Sequence, residues 1–255
     1  MKENRAIPKV VLLGAAGRMG KAISARFKVD KRIELAALID PAGEEPDILP
    51  SLESLPHNFH ADLALDFSTV QATRAHAETC LKRGWDLLIG VTGFEESDIA
   101  RFKNLAEAYQ RRIVVVPNFS IGVNLLFKFA SQAAKFFTHV EIIEMHHDKK
   151  VDAPSGTAVY TARIIGAEKV GSEPPNPEDR SRGKLIEGVP VHAVRLQGLL
   201  AHQEVMLGNE GEVLTIRHDT TDRTAFLKGI YLAIENMDKL PPGFKLGLEW
   251  IFDIE

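Results

Sequence analysis

The residues best suited to chemistry lie in one stretch, Glu141 to Ala158. Glu144-Met145-His146-His147 ends an apolar run, Lys149 and Lys150 follow in a polar loop, and Pro154-Ser155-Gly156-Thr157 opens a helix. Histidine can donate a proton near neutral pH. Lysine offers a point charge suited to a carboxylate, and a helix start holds an anion on its free N–H groups. His146, His147, Lys150, Ser155, Gly156 and Thr157 therefore describe a pocket for a small dianionic molecule that receives one proton. Each part alone has a plainer reading. Adjacent histidines occur in zinc sites, Ser155 by itself is a helix cap, and a charged loop at a strand end is usually solvated surface. The chain has one cysteine, Cys80, and no third-ligand spacing near the histidines, so no metal is expected. Convergence of two histidines, a lysine and an anion-holding turn within a dozen residues favours function.

A second group is built from glycines. Gly14-Ala15-Ala16-Gly17-Arg18-Met19-Gly20 follows the first apolar run and opens a helix. Glycine lets backbone approach a pyrophosphate closely, and the helix start supplies N–H groups and the positive end of its dipole. Asp40 ends the next apolar run twenty residues beyond Gly20, where an acid would bind the hydroxyls of an adenosine ribose. The G-x-x-G-x-x-G spacing varies the usual dinucleotide fingerprint, and its strand–turn–helix context strengthens it. Gly90-Val91-Thr92-Gly93, Asp66 to Thr69 and Pro117-Asn118-Phe119 stand at the ends of further runs, as a cofactor rim requires.

The elements that must position these groups can be read from hydropathy. Val10 to Leu13, Leu35 to Ile39, Leu63 to Phe67, Leu87 to Ile89 and Ile113 to Val116 are continuously apolar, as in strands covered on both faces. Helical segments over Gly20–Phe27, Thr69–Arg83 and Glu95–Gln110 alternate with them, which predicts a parallel, doubly wound sheet. After Phe119 the texture changes. A helix over Gly122–Phe137, a strand over Val140–Met145 and a helix from Ser155 come first. Gly171–Gly188, rich in Pro, Gly and charge, is expected to be a loop, and three β-like runs follow: His192–Leu196, His202–Leu207 and Glu212–His218. That series predicts antiparallel strands in a second, α+β domain, while a last helix over Ala225–Met237 and the run Leu248–Phe252 fit either domain. The length of 255 residues allows one large domain or two modest ones. A net charge of −4 offers no general nucleic-acid footprint. The start lacks a signal peptide's apolar stretch and no run approaches a membrane span, so a soluble, cytoplasmic protein is expected.

The stretch Glu144 to Ala158 resembles the signature of the 4-hydroxy-tetrahydrodipicolinate reductase (dihydrodipicolinate reductase) family. The similarity extends to Gly14–Gly20, Gly90–Phe94, Asn118–Asn124, Arg195–Val205, Thr215–Asp219 and Asp222-Arg223. The resemblance implies a Rossmann-like doubly wound parallel sheet with a second α+β domain for substrate binding and oligomerisation. Its implied boundaries are 1–119 for the dinucleotide-binding domain, 120–223 for the substrate domain, and 224–255 for a segment returning to the first. It also implies a hinge near Phe119-Ser120 and Arg223, a homotetramer, and reduction of a cyclic dicarboxylate by NADH or NADPH in lysine and meso-diaminopimelate synthesis. Carried over by residue, His146 is the proton donor and Lys150 a second catalytic and carboxylate-binding group, with His147, Ser155, Gly156 and Thr157 contacting substrate. Gly14, Ala15, Ala16, Gly17, Arg18, Met19, Asp40, Gly90, Val91, Thr92, Val116, Pro117, Asn118 and Phe119 would hold the cofactor. Pro41 stands where some members carry an arginine able to meet the 2′-phosphate of NADPH, so NADH is the expected preference, with Arg18 the nearest substitute. Lys149 replaces a histidine of some members. The rival readings are another dehydrogenase on the same scaffold and a non-catalytic NADH-binding regulator.

Overall fold

The apolar runs become strands sealed on both faces: Val10 to Leu13, Leu65 and Leu87 to Ile89 have no exposed surface. The computed structural model describes residues 6–168 and 180–252, and the chain divides into two units, Met1–Pro117 with Leu227–Glu255, and Asn118–Phe226. In the first unit, β1 (Lys9–Leu13), β2 (Glu34–Ile39), β3 (Ile48–Leu49), β4 (Leu63–Asp66), β5 (Asp86–Ile89) and β6 (Arg112–Val115) pair in parallel in the order β3-β2-β1-β4-β5-β6. A seventh parallel strand, Gly243–Leu246, joins β6 at the edge. The order reverses between β1 and β4, which opens a crevice at the carboxyl ends of those strands.

Helices α1 (Arg18–Phe27), α2 (Val70–Lys82) and α3 (Glu96–Tyr109) return the chain between strands. Local chemistry sets their starts. Thr69 caps α2 by accepting from the Ala72 N–H at 3.2 Å, and Glu95 with Asp98 forms a capping box on α3. Arg74 reaches from α2 to both oxygens of Asp98 at 2.7 Å, tying the two helices together.

In the second unit, α4 (Ile121–Ala134) precedes β7 (His139–His146), and α5 (Gly156–Glu168) follows it. Then come β8 (Lys184–Ile186), β9 (Val189–Arg195), β10 (Ala201–Asn209) and β11 (Glu212–Thr220), in the sheet order β11-β10-β7-β9-β8. Helices α4 and α5 cover one face through Phe127, Ala130, Ala158 and Ile165, packed on Ile142, Val191 and Val205. Each of those wholly buried aliphatic side chains contributes about 1.5–3 kcal/mol relative to exposure.

Two expectations need correction. The sheet is mixed: β9, which covers the predicted run from His192, lies parallel to β7 and antiparallel only to β8. Helix α5 carries the chain back between β7 and β9, which permits parallel pairing, and period-two hydropathy looks the same in either direction. Within the expected loop Gly171–Gly188, Lys184–Ile186 is a strand turning into β9 through Glu187 and Gly188, both at positive φ. Residues 169–179 of that region lie outside the described residues. The last helix, α6 (Ala225–Asn236), is counted with the first unit from Leu227 onward, and the run from Leu248 ends in a 3-10 turn, Glu249–Phe252, in the same unit.

Candidate active site and dinucleotide cradle

In the first unit, β1 runs into Gly14, whose φ of +81° suits glycine and whose N–H donates to the Ile39 carbonyl at 2.9 Å. A Cβ on Gly14 would stand 2.6 Å from the Phe67 carbonyl, and one on Gly20 would stand 2.1 Å from the Gly14 carbonyl oxygen. The loop is thus folded tightly onto both β4 and its own helix. Gly17 takes the N-cap position of α1 with no side-chain cap, and the first turn holds no acidic residue. The N–H groups there are left for an anion. Ala15 is buried, Ala16 and Met19 are half-buried, and Gly17 and Arg18 are exposed.

Asp40 sits beside this loop. Its carboxylate accepts from the Ala16 N–H and the Ala42 N–H, each at 2.9 Å, which fixes it at the rim. A cavity of about 550 Å³ opens there, lined among others by Gly14, Gly17, Asp40, Phe67, Thr69 and His76. Gly90 follows β5 and packs against the Phe67 ring, where a Cβ would come within 2.3 Å of a ring carbon. Val91 is buried and Thr92 exposed beside it, while Val116 donates its N–H to the Ile89 carbonyl at 2.8 Å and leads to Pro117. The close-packed glycines, the uncapped helix start and the fixed carboxylate fit a dinucleotide.

Sequence reading placed Asp66 at a strand end on the cofactor rim and gave it no partner. Fully buried, it accepts from the Ser68 N–H at 2.9 Å and the Ser68 hydroxyl at 2.5 Å, and its other oxygen lies 2.9 Å from His76 Nδ1. These bonds lock the Phe67–Thr69 turn against which Gly14 packs. An aspartate closing an apolar run was the available signal; nothing in the sequence pointed to His76 as its partner.

Asn118 and Phe119 belong to the second unit. Asn118 Nδ2 lies 3.4 Å from Thr157 Oγ1, and its carbonyl accepts from Asn124 at 2.8 Å. Ser120 caps α4 and lies 3.1 Å from His218 Nε2; burial holds that imidazole below its usual pKa, although Asp219 opposes the shift.

His146 ends β7 with its side chain only 14% exposed. Two residues earlier on the same strand face, Glu144 is wholly buried. Its carboxylate lies 2.5 Å from His146 Nδ1, accepts from Arg195 at 2.7 and 3.0 Å, and accepts from the Ser155 N–H at 3.1 Å. Burial alone would raise the Glu144 carboxyl, but the bonds from His146 and Arg195 outweigh it and hold it below the usual carboxylate range. Both Glu144 and Arg195 were visible in the sequence, yet neither stood out as a site residue, because 51 positions separate them.

The turn after β7 folds back on itself. Lys150 Nζ lies 2.7 Å from an Asp152 oxygen. Burial pushes the Asp152 carboxyl up, while Lys150 and the Gly156 N–H more than compensate and lower it. Ser155 is buried, its hydroxyl capping the Ala158 N–H at 3.2 Å, so it serves the helix start as well as Glu144. At Gly156 a Cβ would meet no atom within 4 Å, leaving open space over the N-terminus of α5. His147 is half-buried and Thr157 turns its hydroxyl to Asn118. An ammonium, an imidazole and a helix start thus share one edge of the second unit. Among the described residues, no group of three or more His, Cys, Asp or Glu is placed to hold a metal.

Residues 8–119 match the family model described as dihydrodipicolinate reductase, N-terminus, and residues 122–250 match that described as dihydrodipicolinate reductase, C-terminus. The chain belongs to the dihydrodipicolinate reductase family. It is 39% identical to a 4-hydroxy-tetrahydrodipicolinate reductase of Geobacillus thermodenitrificans, over 96% of this chain and 99% of that one. A 4-hydroxy-tetrahydrodipicolinate reductase of Bacillus mycoides is 38% identical over 96% of this chain and 98% of its own length. Among solved structures, the dipicolinate-bound dihydrodipicolinate reductase from Paenisporosarcina sp. TG-14 superposes with a TM-score of 0.84 at 36% identity, covering 96% of this chain and all of that one. Dihydrodipicolinate reductases are pyridine-nucleotide oxidoreductases.

Proposed function

We propose that this enzyme reduces 4-hydroxy-tetrahydrodipicolinate to tetrahydrodipicolinate in lysine and meso-diaminopimelate synthesis. The observation that carries this reading is the edge of the second unit, where His146, Lys150 and the open N-terminus of α5 lie together. Bound NADH or NADPH supplies the hydride. The net change consumes one hydride and one proton: the 4-hydroxyl leaves as water with a hydrogen from the neighbouring ring carbon, and the conjugated imine so formed takes up the hydride and the proton. His146 donates the proton, in the general-acid role that imidazole serves near neutral pH. Lys150 and the N–H groups at Gly156 and Thr157 hold the two carboxylates, with His147 and Ser155 beside them. An arriving carboxylate takes over from Asp152 as the partner of the Lys150 ammonium.

The cofactor residues divide by role. Gly14, Ala15, Ala16, Gly17, Arg18 and Met19 bind the pyrophosphate, Asp40 the adenosine ribose, and Gly90–Thr92 with Val116–Phe119 the nicotinamide half. NADH is preferred over NADPH. The cavity beside Asp40 is lined by two carboxylates, Asp40 and Glu53, and by no lysine or arginine, so a 2′-phosphate meets repulsion without a cationic partner. The two units divide the roles, 1–117 with 227–255 for the dinucleotide and 118–226 for the substrate. The enzyme works in the cytoplasm, where its lone buried cysteine stays reduced, and assembles as a homotetramer. Val194 and Val213, on the sheet face turned away from α4 and α5, are 38% and 68% exposed and supply apolar contact area.

The decisive test is a coupled assay that follows NADH oxidation with the condensation product of pyruvate and aspartate semialdehyde. Turnover is expected. NADH binding without turnover would leave a nucleotide-binding regulator, and turnover only with another dicarboxylate would leave a different dehydrogenase. The same preparation at fixed ionic strength gives kcat/KM for both nucleotides. A clear NADPH preference would reverse the cofactor assignment and point to Arg18. Light scattering on the purified enzyme tests the tetramer.

A further inference from the structure

We infer that Glu144 is the positioning residue for His146: it takes the Nδ1 proton in a hydrogen bond and leaves Nε2 as the atom that delivers the proton to substrate. This rests on the reading of His146 as the acid, and goes beyond it by assigning the atom, the tautomer and the group that fixes both.

Strand geometry sets up the pair. Side chains two apart on β7 share a face, so Glu144 and His146 point the same way, and Nδ1 comes within 2.5 Å of the carboxylate. Across the sheet, β9 runs parallel to β7 with Arg195 in register with His146. Arg195 grips both Glu144 oxygens, at 2.7 and 3.0 Å, and anchors itself on the carbonyl of Asp152 at 2.6 Å. A wholly buried carboxylate with a two-pronged guanidinium stays ionised. An ionised carboxylate only accepts, so the imidazole nitrogen facing it must carry a hydrogen. The neutral ring is therefore the Nδ1–H tautomer, and Nε2 is the nitrogen that gains and gives the catalytic proton.

Glu144 has a second attachment. The same oxygen that meets Arg195 at 2.7 Å accepts the Ser155 N–H at 3.1 Å, at the turn that opens α5. One carboxylate thereby sets the imidazole and ties its strand to the turn bearing Gly156 and Thr157. Glu144 touches neither substrate nor cofactor in this assignment; it acts through His146. A glutamate that merely pinned β7 to the turn would make the Ser155 bond equally well, but would leave the imidazole tautomer unset.

The experiment uses the full chain labelled with 15N-histidine, saturated with nucleotide, and read by magic-angle-spinning NMR above the titration of the imidazoles. The His146 signals are assigned by their loss in His146→Gln. In the wild type, neutral His146 is expected as Nδ1–H. In Glu144→Gln the amide presents a donor to the ring, and the tautomer is expected to switch to Nε2–H. Turnover should then fall on the order of 10²-fold or more, the scale set by losing a correctly poised acid, while KM for NADH stays within a factor of about two. Glu144→Asp keeps the charge and should restore the Nδ1–H form and part of the turnover. Wild-type His146 found as Nε2–H overturns the inference without any variant, even if Glu144→Gln fails to fold. Lost turnover with an unchanged tautomer also overturns it, since the role would then be structural. If His146→Gln keeps full turnover, the acid assignment falls while the tautomer measurement still reports on the pair, so the two failures are distinguishable.

Discussion

Arg195→Met removes the guanidinium that compensates a buried carboxylate while keeping the unbranched stem of the side chain. Four hydrogen bonds go with it: two to Glu144, one to the Val194 carbonyl at 2.7 Å and one to the Asp152 carbonyl. Glu144 has no exposed surface with Arg195 in place, and methionine offers no donor in its stead. Breaking a buried ion pair from one side costs about 3–5 kcal/mol. The Ser155 N–H and His146 remain as partners, which places the expected loss toward the lower end of that range. At about 2–4 °C per kcal/mol for a chain of this size, melting should fall by at least about 6 °C at pH 7. The pH dependence has a definite sign. A carboxyl held low in the folded protein adds stability above its ordinary pKa, near 4.3 for glutamate, and loses that stability as the pH falls through the folded value. In the variant, burial acts without Arg195 and pushes the same carboxyl up, so protonation relieves the variant before it affects the wild type. The gap between the two proteins should thus be widest near pH 7 and narrow on acidification toward pH 4. Calorimetry on both proteins at a series of pH values measures this. A loss under about 1 kcal/mol at pH 7, well short of a broken buried pair, refutes the reasoning, as does a gap that stays constant with pH.

His146→Gln should keep NADH affinity and lose turnover by on the order of 10²–10⁴-fold; turnover at saturating substrate within a factor of about two, far below that range, removes His146 as the acid. Lys150→Ala leaves a substrate carboxylate without its cation, a loss on the order of tenfold or more in kcat/KM for a charge-assisted bond. It should raise KM for the dicarboxylate and lower turnover together, and an unchanged kcat/KM in a protein with wild-type circular dichroism would place Lys150 outside the pocket. Gly20→Ala puts a Cβ 2.1 Å from the Gly14 carbonyl oxygen, so the cradle must open and NADH binding by calorimetric titration should be lost or greatly weakened; wild-type affinity would show that the loop can shift without cost.

Much of this was legible in the chain itself. The continuous apolar runs between Val10 and Val116 read as strands covered on both faces, since a water-facing side would need alternate polar residues and helical stretches alternate with the runs. Gly14 was legible because positive φ is nearly forbidden to other residues, and Asp40 because its place after the second run is fixed by distance along the chain. His146, Lys150 and the turn at Ser155 were legible because they lie within a single stretch. What the sequence left open depends on segments far apart that meet only when the sheets form. The direction of β9 was one such choice, since alternation is blind to the sense of a strand. Short strands such as Ile48–Leu49 and Gly243–Leu246 carry too few residues for a period and exist because a sheet edge accepts them. The partnership of Arg195 with Glu144 was another: parallel pairing of β7 and β9 places a guanidinium beside a carboxylate 51 residues away. Asp66 and His76 likewise meet only because α2 folds back over the end of β4. Sequence patterns record which side of an element is apolar and where backbone must be unusual, since those demands are local. Which charge answers which is settled by register and packing, because a buried carboxylate takes whatever partner the neighbouring strand or helix delivers to it.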